Sequence, residues 1–282
     1  MVFIAPDLLG LLVFLVLPML VALAVSLFAV DGFGNYSFAG LDNFRRMADD
    51  PLLHTSAKVT LTYLALYVPL VFVVSLALAL LVRDPYPGVG AVRAALFLPN
   101  VVSLVVVGVL WQFMLVDKRG IVPALLTPLG LGEVSWLGDP RYALLTLVLV
   151  SIWFLAGYQM LIFLAGLKDI PGEYYDAARV DGASAWQRFT HVTMPGLRAV
   201  SSTVVLLSTV WTFNMFPVIF LLTRGGPGDS TEILVTYAYR LSFLNSPRDY
   251  ATSAAWGVLI LLLLALFAVV YRRSLRKQGE VW

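Results

Sequence analysis

The chain of 282 residues is 60% hydrophobic and only 13% charged, with a mean hydropathy of +0.87. This composition leaves too little polar surface to solvate a water-soluble globule, so it predicts an integral membrane protein. A net charge of +2 without a basic, aromatic-rich patch argues against nucleic acid as a partner, and the absence of cysteine excludes disulfides and thiolate metal sites, so we expect no bound metal.

Six apolar runs are long enough to cross a bilayer, because a hydrocarbon layer of about 30 Å takes about 20 residues of helix. Lipid offers the backbone no hydrogen-bond partner, so the runs must be helices and the predicted fold is all-α. Only the first run carries a charge, Asp7. We expect one transmembrane domain over residues 1–282, with spans at residues 3–30, 59–82, 94–116, 142–166, 199–223 and 250–271.

The first run is interpreted as a retained span rather than a cleaved signal peptide. It opens without a basic segment, exceeds the usual length of a signal sequence, and contains Pro6 and Pro18. Lys and Arg are almost evenly divided between the two sets of loops, but the basic residues at 272–277 lie directly against the sixth span. Since basic residues beside a span favour the inner side, we expect both termini in the cytoplasm.

The longest loop on the predicted cytoplasmic side, residues 167–198, is called the elbow here. Pro171 predicts the start of a first short helix, and Gly182 predicts its end. Ser184 and Gln187 have the spacing of a capping box, which predicts the start of a second helix. The pattern therefore indicates two short helices joined by a turn.

The elbow carries residue types that suit contact with another protein. Ala177 and Ala178 are small enough to let a second backbone come close, and Tyr174, Tyr175 and Trp186 offer large side chains to a pocket. The alternative is an amphipathic helix that rests on the membrane surface. Periodicity alone does not decide between the two interpretations.

A spaced motif favours the first interpretation: Asp176-Ala177-Ala178, three residues, Gly182, nine residues, then Val192-x-Met194-Pro195. It resembles the signature loop of permease subunits in binding-protein-dependent ATP-binding-cassette importers. Asp176 departs from the usual Glu, and Val192 and Met194 replace Ile and Leu conservatively. The stretches "AGLDNFRRM" at 39–47 and "LLTRGGPGDSTEILVTYAYRLSF" at 221–243 look like the carbohydrate-uptake branch of that family, and the second is most similar to the maltose-type subunit.

The resemblance implies that the elbow forms a coupling helix, which seats in a cleft of a separate ATPase subunit and passes its closure to the spans. It also implies a bacterial inner-membrane location, a second homologous permease subunit, two ATPase subunits and an extracytoplasmic solute-binding protein. The residues expected to couple to the ATPase are Glu173, Tyr174, Tyr175, Asp176, Ala177, Ala178, Asp181, Gly182, Ala183 and Trp186.

Nucleotide chemistry is expected on another chain. The sequence contains no G-x-x-x-x-G-K-[ST] loop that would cradle the phosphates of a nucleotide. We therefore expect this chain to have no catalytic residues and no cofactor of its own, with ATP and Mg on the ATPase subunits.

Five spans without charge favour a neutral solute, because an anion would need nearby cations or helix N-termini. Hydroxyls, amides and aromatic rings in the spans suit a sugar or oligosaccharide. Two stripes of residues, each on one face of a predicted helix, align with the positions that line the sugar site in maltose-type subunits. Packing between helices is the alternative explanation for each residue. The stripes contain Ser151, Phe154, Leu155 and Tyr158 in the fourth span, and Ser208, Trp211, Thr212, Asn214 and Met215 in the fifth.

Other functions remain as alternatives. A permease subunit could carry glycerol phosphate or another polar solute, and an independent secondary carrier would need no ATPase. A membrane-embedded enzyme is disfavoured because the last five spans offer neither an acid nor a histidine as a catalytic group.

Overall fold

The computed structural model describes residues 4–30, 36–117, 119–130, 134–245 and 248–277. Phe3, where the first span was predicted to start, and both chain ends lie outside these ranges. The predicted all-α architecture is confirmed, with one short addition: strands β1 (Phe28–Val30) and β2 (Tyr36–Phe38) pair antiparallel after the first helix.

The helices of the described ranges are, in chain order, α1 (Ala5–Val25), α2 (Asp42–Asp49), α3 (Pro51–Leu81), α4 (Val89–Phe97), α5 (Leu104–Met114), α6 (Ile121–Leu126), α7 (Pro140–Asp169), α8 (Gly172–Val180), α9 (Ala185–Gly196), α10 (Arg198–Asn214), α11 (Phe216–Thr223), α12 (Leu234–Tyr239) and α13 (Tyr250–Lys277). Short 3-10 turns follow α4 and α6, at Leu98–Val101 and Thr127–Leu129. Segments of π-helix lie within α1 and α9 and after α12, at Leu12–Val16, Phe189–Thr193 and Arg240–Leu244.

Four of these helices, α1, α3, α7 and the apolar part of α13, are long and apolar enough to cross a membrane. Two bent pairs raise the number to six if each is counted as one span: α4 with α5, bent by 98°, and α9 with α10, bent by 69°. The predicted number of six spans is the upper end of this range, but the second pair begins at residue 185 within the elbow, whereas the fifth span was predicted at 199–223.

Two of the predicted spans are not single helices. The run at 94–116 breaks at the 3-10 turn Leu98–Val101, and the run at 199–223 breaks at Met215. Pro99 stands in the first turn of that 3-10 segment and Pro217 in the first turn of α11, where a missing backbone N–H does least harm. The apolar composition is continuous across both breaks, and the signal for them in the sequence is the two prolines, which predict a kink in each span.

Contacts divide the chain into two compact units. The first comprises residues 1–60 and 231–269. Its core packs Met47 of α2 and Tyr237 of α12 with Trp256 of α13. The hydroxyl of Thr60 accepts a hydrogen bond from the backbone N–H of Leu234 at 3.0 Å, which joins α3 to the start of α12.

The second unit comprises residues 61–230 and 270–282, and α7 is its central helix. In the most apolar stretch of α7, 72% of the residues are buried, whereas only 33% are buried in that of α3. The core around it includes Val82, Phe163, Leu167 and Leu197. This core reaches the base of the elbow, so the elbow is packed onto the end of the helix bundle.

Candidate functional site

The elbow folds as the sequence predicts. Helix α8 follows Pro171, and Gly182 adopts a left-handed conformation with φ of +76°, which an L side chain rarely adopts. The Ser184 hydroxyl accepts a hydrogen bond from the backbone N–H of Gln187, and the Gln187 side chain accepts one from the backbone N–H of Ser184. This capping box fixes the start of α9 and gives the elbow a defined shape.

Three large apolar side chains of the elbow are exposed. Tyr174 is 61% exposed, Val180 88% and Trp186 70%, and the indole of Trp186 stacks on Phe189 at 5.4 Å between ring centroids. Exposed apolar residues on a polar, ordered loop are typical of a surface that docks another protein. We call Tyr174, Val180 and Trp186 the docking face.

The other residues predicted for coupling divide by exposure. Those exposed beside the docking face are Glu173, Asp176, Ala177, Asp181 and Gly182, whereas Tyr175, Ala178 and Ala183 are half-buried. Tyr175 in particular turns away from Tyr174 and contacts the chain itself. The structure thus separates two adjacent tyrosines to which the sequence assigned the same role.

Two hollows flank the elbow. One, of about 410 Å³, lies between the end of α3 and the elbow, and its lining includes Arg83, Tyr175 and Arg188. The other, of about 540 Å³, lies on the opposite side of α8 and its lining includes Tyr174, Ala177 and His191. The first helix of the elbow therefore has open space on two sides, which is available to side chains of another protein.

A polar network that sequence reasoning missed lies inside the helix bundle. Gln159 is fully buried in α7, its amide nitrogen donates to the Ser208 hydroxyl of α10 at 2.8 Å, and its amide oxygen accepts from the Ser75 hydroxyl of α3 at 3.5 Å. A second bond joins the Tyr63 hydroxyl of α3 to that of Ser151 at 2.6 Å. The available signal was that Gln159 is the only amide side chain of the fourth predicted span.

The two stripes predicted to contact solute are mostly packed within the chain. The buried members are Ser151, Phe154, Leu155, Ser208, Thr212 and Met215, the half-buried ones are Tyr158 and Trp211, and Asn214 is exposed. Burial inside one subunit agrees with helix packing for the first group. The role of the two stripes in solute binding stays a prediction, and the last three residues are the accessible ones.

The loop between α11 and α13 carries a second set of polar contacts that the sequence analysis did not identify. Glu232 is almost fully buried, and its carboxylate lies 2.9 Å from the Arg240 guanidinium. The Tyr237 hydroxyl donates a hydrogen bond to the Asp50 carboxylate at the start of α3. Burial, and secondly this hydrogen bond, raise the pKa of Tyr237 above its ordinary value.

These features define a class of protein: a polytopic helical membrane protein whose bundle carries an ordered helical elbow with exposed apolar side chains. More particularly, the chain belongs to the family described as the binding-protein-dependent transport system inner membrane component, whose sequence profile matches residues 1–278. The family resemblance inferred from the elbow motif is thereby confirmed.

Named relatives and solved structures agree with this assignment. The chain is 32% identical over 269 residues to the trehalose/maltose transport system permease protein MalF of Thermococcus litoralis, covering 95% of this chain and 90% of that protein. It is 31% identical over 283 residues to the lactose transport system permease protein LacF of Rhizobium radiobacter, covering 98% and 94%. It also superposes with a TM-score of 0.84 on a chain of a bacterial ABC transporter involved in the import of the acidic polysaccharide alginate, at 25% identity and with 98% and 94% coverage.

Proposed function

We propose that this chain is the permease subunit of an ATP-driven importer of a neutral sugar or oligosaccharide, and that it forms half of the translocation pathway. A second, homologous permease subunit supplies the other half. Two ATPase subunits bind ATP and Mg and dock beneath the pair, and an extracytoplasmic solute-binding protein delivers the sugar. The complex sits in the bacterial inner membrane with both termini of this chain in the cytoplasm.

The observation that carries the proposal is the docking face in its family context. Tyr174, Val180 and Trp186 expose apolar surface on a capped and ordered elbow. Family membership over nearly the whole chain supplies the kind of complex in which such a surface is used. An ATPase that grips the elbow would bury these three side chains when the complex assembles.

Support for a carbohydrate comes from the relatives, two of which are named for the transport of trehalose, maltose or lactose. Support for a carbohydrate without charge comes from the five predicted spans that hold no charged residue. The alginate importer favours an acidic oligosaccharide as the second candidate. An acidic oligosaccharide would need a cation in the pathway, and the second permease subunit would then supply it.

The testing experiment is to purify the tagged chain from its native membranes in mild detergent, identify the proteins that remain bound and place the complex in nanodiscs. ATP turnover is then measured with the solute-binding protein and maltose, trehalose, lactose, an alginate oligosaccharide, glycerol phosphate or an amino acid. We expect stimulation by a neutral sugar. Stimulation only by the alginate fragment supports the second candidate, and stimulation only by glycerol phosphate or an amino acid contradicts a sugar.

Two further results would contradict the larger proposal. Transport by the purified chain alone in liposomes, without ATP, would identify a secondary carrier. Hydrolytic activity of the chain alone on a membrane substrate would identify an enzyme. A matched pair of variants tests the docking face: Tyr174→Ala should reduce the amount of ATPase that copurifies, whereas Tyr36→Ala, which removes a similarly exposed tyrosine from β2, should not.

A further inference from the structure

Tyr175 joins the two helices of the elbow to each other and connects them to the end of α3. Its hydroxyl lies 3.0 Å from the hydroxyl of Thr193, which is 3% exposed in the π-helical part of α9. The guanidinium carbon of Arg83, just beyond the end of α3, lies 4.6 Å from the centre of its ring. The tyrosine ring is therefore held from two directions, by a hydrogen bond at one end and by a cation over its face.

The end of α3 is in turn fastened to the start of the third span. The Arg93 side chain of α4 donates from Nε to the backbone carbonyl of Val82 at 3.2 Å, and its terminal nitrogen donates to the carbonyls of both Val82 and Arg83. Both carbonyls belong to the two residues that directly follow α3, so the bonds tie this end of the helix to α4. A displacement of Arg83 is thus passed directly to α4.

Because Tyr175 packs against the core, it is placed to transmit a movement of the elbow and does more than anchor its own side chain. Its ring packs at the edge of the core that contains Val82, Leu167 and Leu197, so it touches the cluster that joins α3 to α7 and to the start of α10. Closely packed protein cores do not deform gradually, so a shift of one side chain at the edge moves its packed neighbours together. The aromatic ring itself has few internal rotations to absorb such a shift.

We infer that Tyr175 is a positioning residue: its bond to Thr193 fixes the ring within the elbow, and its contact with Arg83 passes movement of the elbow to the ends of α3 and α4. The inference rests on the proposed function, since it assumes that an ATPase moves the elbow. It assigns different tasks to adjacent residues of one helix: Tyr174 meets the ATPase, and Tyr175 passes the movement inward.

The experiment measures sugar imported per ATP hydrolysed in the reconstituted complex, together with the ATPase that copurifies. Tyr175→Phe deletes the hydroxyl and keeps the ring, and Thr193→Val deletes the other hydroxyl. We expect each to lower the sugar imported per ATP about fivefold, which corresponds to one lost hydrogen bond, with ATPase binding unchanged. The double variant should be no worse than either single one, because both remove the same bond.

Arg83 gives a second pair of variants and keeps the test independent of the hydroxyl. Arg83→Gln removes the cation over the ring and should lower the same ratio, whereas Arg83→Lys keeps a cation there and should restore most of it. The matched control is Tyr86→Phe, which deletes the hydroxyl of an exposed tyrosine in the loop after α3. It should transport as the wild type does.

Different results would contradict the proposed function and the inference about Tyr175. A wild-type preparation without any bound ATPase would overturn the proposed function, and this inference with it. Wild-type transport per ATP in Tyr175→Phe and Arg83→Gln, with the ATPase bound, would overturn the inference alone. Loss of ATPase binding in Tyr175→Phe would also overturn it, because Tyr175 would then belong to the docking face.

Discussion

Gly157 of α7 lies directly against the main chain of Leu96 of α4, so closely that a Cβ at position 157 would stand 1.9 Å from the Leu96 carbonyl oxygen. The next closest atom, the carbonyl carbon of Leu96, would lie at 2.5 Å. Because both atoms belong to the backbone, no change of rotamer relieves the overlap. The approach of α4 to the central helix therefore requires glycine at this position.

Gly157→Ala should consequently destabilise the protein. We expect a loss of about 1–3 kcal/mol, the usual cost of overpacking a core, seen as a lower melting temperature in detergent or nanodiscs. Gly257→Ala in α13 is the control, since a Cβ there meets nothing within 4 Å and alanine favours helix. Equal melting temperatures for the two variants would contradict the close approach.

Gln159→Leu should weaken the packing of α7 against α10. It removes the amide that donates to Ser208 and leaves that hydroxyl with only its bond to its own helix, at a cost of about 1 kcal/mol. Adding Ser208→Ala to Gln159→Leu should cost little more, because the shared bond is already lost. Additive losses in a denaturant titration of the two single variants and the double variant would show that the bond contributes nothing.

The exposure of the two predicted stripes separates solute contact from packing. Trp211→Ala and Asn214→Ala alter accessible side chains, and we expect either to raise KM for the stimulating sugar about tenfold in the reconstituted importer. Ser151→Ala removes a buried hydroxyl bonded to Tyr63, so it should lower the melting temperature and leave KM unchanged. A raised KM in Ser151→Ala alone would place the solute among the packed residues instead.

The turn of the elbow provides a test of its rigidity. Gly182 has a φ of +76° with nothing within 4 Å of a Cβ, so Gly182→Val strains the backbone by about 1–2 kcal/mol without a clash. Expression should be retained, and sugar-stimulated ATP hydrolysis should fall as the two helices lose their relative angle. Ala177→Glu, on the exposed side of α8, should do the same by placing a charge in the contact.

Gly172→Ala is the matched control for the turn, since its Cβ also meets nothing within 4 Å and its φ is not positive. It should leave stimulated hydrolysis at the wild-type level. Undiminished coupling in both Gly182→Val and Ala177→Glu would argue strongly against a role of the elbow in driving transport.

Stability at alkaline pH should depend on Tyr237. Burial and the hydrogen bond to Asp50 raise its pKa, so the folded protein holds this proton more tightly than the unfolded chain. The resulting stabilisation is complete below the ordinary tyrosine pKa of about 10 and is lost as the pH rises above it. The melting temperature of Tyr237→Phe should therefore fall less between about pH 9 and about pH 11 than that of the wild type.

Tyr237→Phe should also be less stable at neutral pH, by about 1 kcal/mol, because it loses the bond to Asp50. Tyr36→Phe removes an exposed hydroxyl and should follow the wild type at every pH. A Tyr237→Phe curve parallel to the wild-type curve throughout would show that this tyrosine does not contribute to the alkaline transition.

The sequence predicted the elbow well because its start and stop signals are local. Pro171, Gly182 and the Ser184–Gln187 box act through their own backbone and nearest neighbours, so their meaning does not depend on the rest of the fold. The spaced motif between Asp176 and Pro195, which indicated the family, was recognisable for the same reason. Residue type and spacing were sufficient there.

Features that depend on tertiary contacts were not predictable in the same way. Tyr174 and Tyr175 are chemically alike, and only the position of Arg83 and Thr193 decides that the second one faces inward. Pro99 indicates a kink after α4, but no local signal in the sequence predicts its angle of 98°. Partners distant in sequence decide such features, and neither periodicity nor propensity reports on them.

The first compact unit is built from two segments that are distant in sequence, with residues 1–60 completed by residues 231–269. During translation, α1 and α2 emerge first and must wait for about 170 further residues, roughly ten to thirty seconds at bacterial rates of elongation. Helix α1 buries none of its side chains, so it can reside in the bilayer before residues 231–269 have been made. The bonds from Leu234 to Thr60 and from Tyr237 to Asp50 can close only then, so the first unit completes its contacts late in translation.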